Sequence, residues 1–250
     1  GAGSGVGREL IRSVLKPGEG SFGWRTGSLV EFAAYLAGPA LAASGRHLAT
    51  QPFFEAVCAR AVAEAEAAGA IAPYGIIADR PGLPRAVART VSEVLAARLG
   101  AAQLPSGLAR LASGSLALLE QQGAILQPTL FDLASQALAA KAHLPPILFL
   151  DPPASSLCER TFLVSVLRAC PDAAVTVPSQ DTVLRRELEL AKGSEIEDTG
   201  PEAEDGLSCL QRFLFAEVSP QPAPADDSVV LFSAPGEGRE CVEIVRRIQQ

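Results

Sequence analysis

The first nine residues hold the pattern in this chain that is closest to a chemical motif. A phosphate-binding loop of the form (Gly/Ala)-x4-Gly-Lys-(Ser/Thr) surrounds phosphates with backbone N–H groups, reaches their oxygens with its Lys, and holds Mg²⁺ with its hydroxyl. Here Arg8 stands in the place of the Lys and Glu9 in the place of the Ser or Thr. Glu9 would put a negative charge beside the phosphates. The pattern therefore predicts a degenerate nucleotide site made of Ala2, Gly3, Ser4, Gly5, Gly7 and Arg8. A flexible glycine-rich leader is the alternative interpretation.

Asp151 is the second candidate for nucleotide chemistry, because it directly follows the apolar run 147–150. In P-loop enzymes an acid in this position holds Mg²⁺, and a neighbouring Glu orients the attacking water. Two prolines, Pro152 and Pro153, follow Asp151 here, so the expected catalytic neighbour is missing. The alternative is a strand-terminal residue that begins a turn. We predict no catalytic residue and no resident cofactor, and weak binding of ATP with Mg²⁺ stays an open alternative.

Four further residues are candidates for weak contact with DNA. Arg85 and Arg89 are one helical turn apart and could meet a phosphate, or they could belong to a solvated helix face. Trp24 could stack on a base, or it could pack beneath a loop. Arg239 follows two glycines at a predicted helix start, where backbone N–H groups attract anions, although an ordinary turn explains the glycines equally well.

The charge distribution limits how tightly this chain can bind nucleic acid. The net charge is −7, and residues 151–250 carry nine basic against eighteen acidic side chains. Residues 1–50 carry five basic and three acidic side chains. Tight DNA binding depends on cations that displace phosphate counterions, so we expect weak binding at best. The acidic segment 187–205 is interpreted as a solvated loop.

The remaining composition predicts a packed, non-membrane chain. It is 48% hydrophobic and 20% charged, which is typical of a globular core. Its five cysteines are scattered without a CxxC pair, which disfavours a disulfide framework or a metal site. No apolar run reaches the roughly 20 residues that cross a bilayer. A reducing cytoplasmic location follows as an expectation, and the lack of any Met suggests a piece of a longer protein.

The order of predicted elements indicates an α/β fold. Apolar spacing predicts helices near residues 8–15, 28–38, 53–68, 84–99, 108–122, 129–143, 156–170, 181–192, 207–215 and 240–250. Short apolar runs predict strands at 24–26, 147–151, 174–177 and 228–232. Strands that alternate with helices imply a parallel sheet. We therefore expect residues 1–49 and 145–250 to form a RecA-like, P-loop NTPase-like parallel sheet, with residues 50–144 as an all-helical inserted subdomain.

Several segments, taken in order, resemble one known family. Residues 1–10, 25–32, 80–90, 147–153 and 231–244 are similar to the N-terminal part of the AddB-type subunits of bacterial helicase–nuclease complexes. These subunits are inactivated superfamily I helicases related to UvrD and RecB. The resemblance implies a RecA-like motor domain that no longer hydrolyses ATP. It also implies a partner helicase–nuclease subunit and a path for single-stranded DNA during double-strand break repair.

Two other functions stay open from the sequence. The first is an active ATP-hydrolysing P-loop DNA helicase domain in which Arg8 replaces the Lys. The second is a purely protein-binding α/β module without any DNA contact. Nucleotide turnover would distinguish the active helicase from a non-hydrolysing domain that serves as a scaffold for a partner subunit. Salt-dependent binding of single-stranded DNA would distinguish that scaffold from the protein-binding module.

Overall fold

The computed structural model describes residues 4–15, 23–139, 144–178, 181–192, 205–214, 218–219 and 226–249. These residues form α-helices, two short 3₁₀ helices and two pairs of strands. The chain divides into two compact units, Gly1–Glu195 and Ile196–Gln250.

Helices dominate both units. The first unit contains α1 (Ser4–Val14), α2 (Leu29–Ser44), α3 (Gln51–Ala67), α4 (Gly82–Ala96), α5 (Ser106–Gln121), α6 (Gln127–Ala139), α7 (Leu157–Ala169) and α8 (Thr182–Lys192). Its strands are β1 (His47–Leu48), β2 (Ala124–Ile125), β3 (Ile147–Leu150) and β4 (Ala173–Thr176), and its 3₁₀ helices are Tyr74–Ile77 and Ala101–Gln103. The second unit contains α9 (Gly206–Phe213) and α10 (Glu237–Ile248).

The predicted RecA-like parallel sheet is wrong. Among the described residues, β1 pairs only with β2 and β3 only with β4, both in parallel, so there are two separate two-stranded sheets. The strands expected at 24–26 and 228–232 do not form. An apolar run makes a strand only where another strand satisfies its backbone hydrogen bonds, and Leu231 instead stays 94% exposed. The architecture is therefore mainly helical, and the picture of a helical insertion within such a sheet is corrected with it.

The helix predictions are confirmed because their signals are local. Ser28 and Ser156 each open a helix with a capping box, in which the serine hydroxyl accepts from a backbone N–H and a Glu side chain accepts from the serine N–H. Among the boundaries that differ from expectation, α1 begins at Ser4 instead of near residue 8, and α2 continues across Pro39 to Ser44. Proline removes a hydrogen bond inside a helix. Leu41, which follows the proline, packs against the core and so favours the continuation.

One apolar core of the first unit lies among α2, α6, α7 and α8 and beneath β3. Its centre is a pair of stacked rings, Phe131 on α6 and Phe162 on α7, with centroids 5.1 Å apart. Phe32 of α2 packs against Phe162 at 6.2 Å. Neither Phe131 nor Phe162 is exposed to solvent. This core fixes the position of α2, which carries the candidate site described below.

A second apolar core joins α3, α4 and α5, and its largest fully buried side chains include Phe54, Leu111 and Val91. Arg98, just after α4, forms an ion pair with Asp132 on α6, and so connects the two cores. α6 thus belongs to the first core, together with α2 and α7, whereas α3, α4 and α5 form the second core. The predicted domain boundaries between residues 49 and 50 and between residues 144 and 145 stay a prediction.

None of the helices among the described residues combines the length and apolar character needed to cross a membrane.

Candidate nucleic-acid interface

The glycine-rich start of the chain is helical where the structure describes it. Gly1, Ala2 and Gly3 lie outside the described residues, and α1 begins at Ser4, so Gly5, Gly7 and Arg8 belong to its first turns. A Cβ on Gly7 would come within 2.9 Å of Thr26 Cγ2. Gly7 therefore permits close packing of α1 on the segment that precedes α2. This packing gives the glycine a structural reason to be present that does not involve phosphate.

Glu9 and Asp151 both have partners within the chain. Glu9 accepts a hydrogen bond from Arg12 Nη1 at 2.6 Å on the exposed surface of α1. Asp151 lies at the carboxyl end of β3, where its N–H donates to Thr176 Oγ1 (2.9 Å) and its Oδ1 accepts from the same hydroxyl (3.0 Å). Asp151 has a φ of 40°, a left-handed conformation that Asp tolerates better than most residues. The pair ties the ends of β3 and β4 together.

The two arginines on α4 have acidic neighbours. Arg85 Nε lies 3.6 Å from Glu55 of α3, and Arg89 Nε lies 3.4 Å from Glu93 of the same helix. Both side chains are largely exposed, so each ion pair contributes little to stability and DNA could displace it. The local carboxylates nevertheless cancel part of the positive charge that a phosphate would meet. These arginines are weak candidates for a DNA contact.

Arg239 lies in the first turn of α10, and its backbone N–H donates to the carbonyl of Gly236. Glu237 and Glu240 share that turn. Carboxylates at a helix N-terminus compete with any anion for the exposed N–H groups. The geometry therefore does not favour an anion at this turn.

A different arrangement of residues has the chemistry of a base-binding surface. Residues 24–28 form no helix or strand and lead into α2, and Trp24 on this segment is 67% exposed. The guanidinium carbon of Arg25 lies 4.9 Å from the centre of the Tyr35 ring, and Tyr35 is itself 56% exposed. We call Trp24, Arg25 and Tyr35 the aromatic–arginine patch. Its two exposed rings could each stack on a base, and one of them, Tyr35, already carries a cation over its face.

Three contacts position this segment. At its end, the Ser28 N–H donates to Glu31 Oε2 at 2.7 Å, and the Glu31 N–H donates to Ser28 Oγ at 3.2 Å. Hydrogen bonds from the Ser28 N–H and then from its hydroxyl lower the pKa of the Glu31 carboxyl, so the capping carboxylate is charged at neutral pH. The close approach of Gly7 to Thr26 holds the middle. The segment 24–28 is therefore fixed to α2 at one end, and its Thr26 lies against α1.

Sequence reasoning found Trp24 and missed Tyr35. Tyr35 lies off the apolar face of α2 formed by Leu29, Ala33 and Leu36, so its position on the exposed side of the helix can be read from the periodicity. The contact between Arg25 and the Tyr35 ring depends on the path that residues 23–28 take before α2. No local pattern encodes this path. Phe22, a second aromatic residue near Arg25 that could stack on a base, lies outside the described residues.

Other chemistry has little support among the described residues. They contain no group of three or more His, Cys, Asp or Glu side chains that could hold a metal ion. Burial raises the pKa of the Cys58 and Cys158 thiols, which keeps them protonated and poorly nucleophilic at neutral pH. Comparison of the chain with protein-family models, with curated proteins and with solved structures finds no match.

Proposed function

We propose that this chain is a non-catalytic scaffold segment of a helicase–nuclease subunit of DNA double-strand break repair, and that it contacts single-stranded DNA through the aromatic–arginine patch. A partner subunit of the complex would supply the motor activity. The observation that carries the proposal is the placement of Arg25 over the exposed ring of Tyr35, next to the exposed Trp24. The family resemblance of residues 25–32, which include Arg25, supports the same assignment.

The chemistry of the patch fits single-stranded nucleic acid better than a duplex. Unpaired bases offer their faces, and stacking on an aromatic side chain contributes about 1–3 kcal/mol per base. Contact with the Tyr35 ring orients the guanidinium of Arg25 while leaving its N–H groups able to bind a phosphate oxygen. The patch lies in a part of the chain where basic side chains outnumber acidic ones, five to three over residues 1–50. The acidic excess lies in residues 151–250.

Two features support the non-catalytic part of the proposal. Arg8 and Glu9 stand where a phosphate-binding loop has its Lys and its Mg²⁺-binding hydroxyl. The carboxylate of Asp151, the candidate Mg²⁺ ligand, already accepts a hydrogen bond from Thr176. ATP hydrolysis would need other residues to replace the missing Lys and hydroxyl, and Asp151 to turn from Thr176 to a metal ion.

The test is the affinity of the chain for a fluorescein-labelled dT20 oligonucleotide, measured by anisotropy at about 50 and 200 mM salt. We expect Tyr35→Ala to weaken binding about tenfold, because one stacking contact of about 1.4 kcal/mol is lost. Arg25→Gln should lower the slope of log K against log salt by about 0.7, the value for one phosphate contact on a single strand.

Arg60→Gln is the matched control. Arg60 is an exposed arginine of the first unit, paired with Glu64 at 2.8 Å on α3, and its side chain is 62% exposed. Its replacement removes the same charge from a helix that has no part in the patch. If Arg25→Gln and Arg60→Gln change the affinity and the salt slope equally, the attraction is a net-charge effect and the patch has no specific role.

A protein-binding module without DNA contact is the second candidate. It is favoured by the apolar residues of α10, none of which is buried. Loss of the oligonucleotide signal at every salt concentration would support this candidate against the first.

A further inference from the structure

Helix α10 of the second unit has an apolar face that the described residues leave uncovered. Cys241, Ile244, Val245 and Ile248 follow the i, i+3, i+4, i+7 spacing of one helix face. We call this row the α10 stripe. Val245 is 54% exposed and Ile248 is 78% exposed, and no residue of α10 is buried. A helix with this spacing normally buries that face against another element.

The charges beside the stripe favour one kind of occupant. Glu240 and Arg247 are seven residues apart, about two helical turns, so they lie along the same edge of the stripe. When two identical helices pack antiparallel about a two-fold axis, the same edge of each helix faces its counterpart. Glu240 of each copy then lies beside Arg247 of the other copy, which gives two equivalent pairs of opposite charge. A parallel pair would instead place like charges at the same level.

Arg247 can accept this partner without losing the ones it has. Its Nε lies 3.2 Å from Glu243 Oε1, and its guanidinium carbon lies 4.7 Å from the centre of the Phe232 ring. The ring and Glu243 hold the arginine in place. A guanidinium has five N–H donors, so a second carboxylate can bind while the first stays.

We propose that α10 is a self-association surface, on which a second copy of this chain packs its own α10 in antiparallel orientation. The acidic first turn of each helix then lies toward the basic last turn of the other, formed by Arg246 and Arg247. The stripe is only four side chains long. The expected dimer is weak, with a Kd on the order of 10–100 µM.

Sedimentation velocity of the full chain, at about 5–500 µM and under reducing conditions, tests the proposal. The wild type should pass from monomer to dimer over this range. Val245→Glu should weaken the dimer at least tenfold, because it places a charge in the centre of the stripe. Arg239→Gln, on the opposite side of α10, is the control and should leave the dissociation constant unchanged.

A charge exchange tests the antiparallel orientation separately. Glu240→Arg should weaken the dimer, because it sets an arginine beside Arg247 of the second copy. The double variant Glu240→Arg/Arg247→Glu should restore the dimer to within about threefold of the wild type. Circular dichroism of each variant verifies that the helices are intact.

Each failure has a definite meaning. A wild-type chain that stays monomeric at every concentration overturns the proposal. A dimer that Val245→Glu leaves intact shows that the contact lies elsewhere. A dimer that the double variant does not restore overturns the antiparallel pairing.

Discussion

Gly107 gives the sharpest prediction about stability, because the space beside it is already filled. Gly107 is a buried residue in the first turn of α5. A Cβ built on it would lie 2.4 Å from the carbonyl oxygen of Ala72, 2.9 Å from Pro73 Cδ and 3.2 Å from Tyr74 Cε2. The closest of these atoms belongs to the backbone, which cannot turn aside as a flexible side chain can. Arg110 of the same helix also bonds the Ala70 carbonyl at 3.2 Å, so α5 is fixed against this loop.

Gly107→Ala should therefore destabilise the first unit. Accommodating the methyl group requires a shift of about 1 Å, and overpacking of this kind costs about 1–3 kcal/mol. The higher helix propensity of Ala offsets at most about 1 kcal/mol. We expect a net loss near 2 kcal/mol and a fall in Tm of about 4–8 °C.

Gly114→Ala is the matched control within the same helix. Its Cβ would meet only Ala61 Cβ at 3.9 Å, an ordinary contact distance. This variant should gain up to about 1 kcal/mol from helix propensity alone. Both free energies of unfolding can be measured by urea titration followed by circular dichroism at 222 nm. Equal stabilities of the two variants would refute the packing of α5 described above.

Three further predictions concern the core, a helix cap and an exposed carboxylate. Phe162→Ala should lower the free energy of unfolding by about 3–5 kcal/mol in the same urea titration, since it removes a fully buried ring stacked on Phe131. Ser156→Ala should cost about 1 kcal/mol through loss of the α7 cap, whereas Ser165→Ala on the exposed side of α7 should be near neutral. Hydrogen bonds from the Ser228 hydroxyl, and then from the Gly206 N–H, lower the pKa of the Asp226 carboxyl. Because this pKa is lowered in the folded chain, the stability that the Asp226 hydrogen bonds to Gly206 and Ser228 contribute is fully present above the ordinary Asp pKa of about 3.9. That contribution is lost as the pH falls through the pKa of Asp226 in the folded chain. Carboxyl carbon NMR should show Asp226 titrating below that ordinary value, and Ser228→Ala should move its pKa back up.

The elements that could be predicted from the sequence are those whose causes are local. Ser28 and Ser156, each with a Glu three residues later, mark two helix starts without any knowledge of the fold. The run 147–150 was predicted as a strand, and it is one because residues 173–176 pair with it. The run 228–232 has the same apolar character and forms no strand. Nothing in the run itself distinguishes the two outcomes, so the predicted sheet failed on a non-local property.

The candidate site shows the same division. The sequence shows that Trp24 is aromatic but leaves open whether it stacks on a base or packs beneath a loop, and its 67% exposure is a finding of the structure. The contact between Arg25 and Tyr35 could not be anticipated, because it joins a segment without regular secondary structure to a helix. Gly7 gives the opposite lesson. Its spacing in the glycine-rich start predicts a phosphate loop, yet its neighbour in the structure is the side chain of Thr26.

Trp24 is the only tryptophan in the chain, so its fluorescence reports directly on the proposed DNA contact. Titration with unlabelled dT20 should quench its emission, because a base stacked on the indole replaces solvent at a ring that is largely exposed. Arg25→Gln and Tyr35→Ala should each shift the quenching midpoint to higher DNA concentration, while Arg60→Gln should not. Binding that is detected by anisotropy but leaves the emission of Trp24 unchanged would contradict the central claim, since the DNA would then lie elsewhere on the chain.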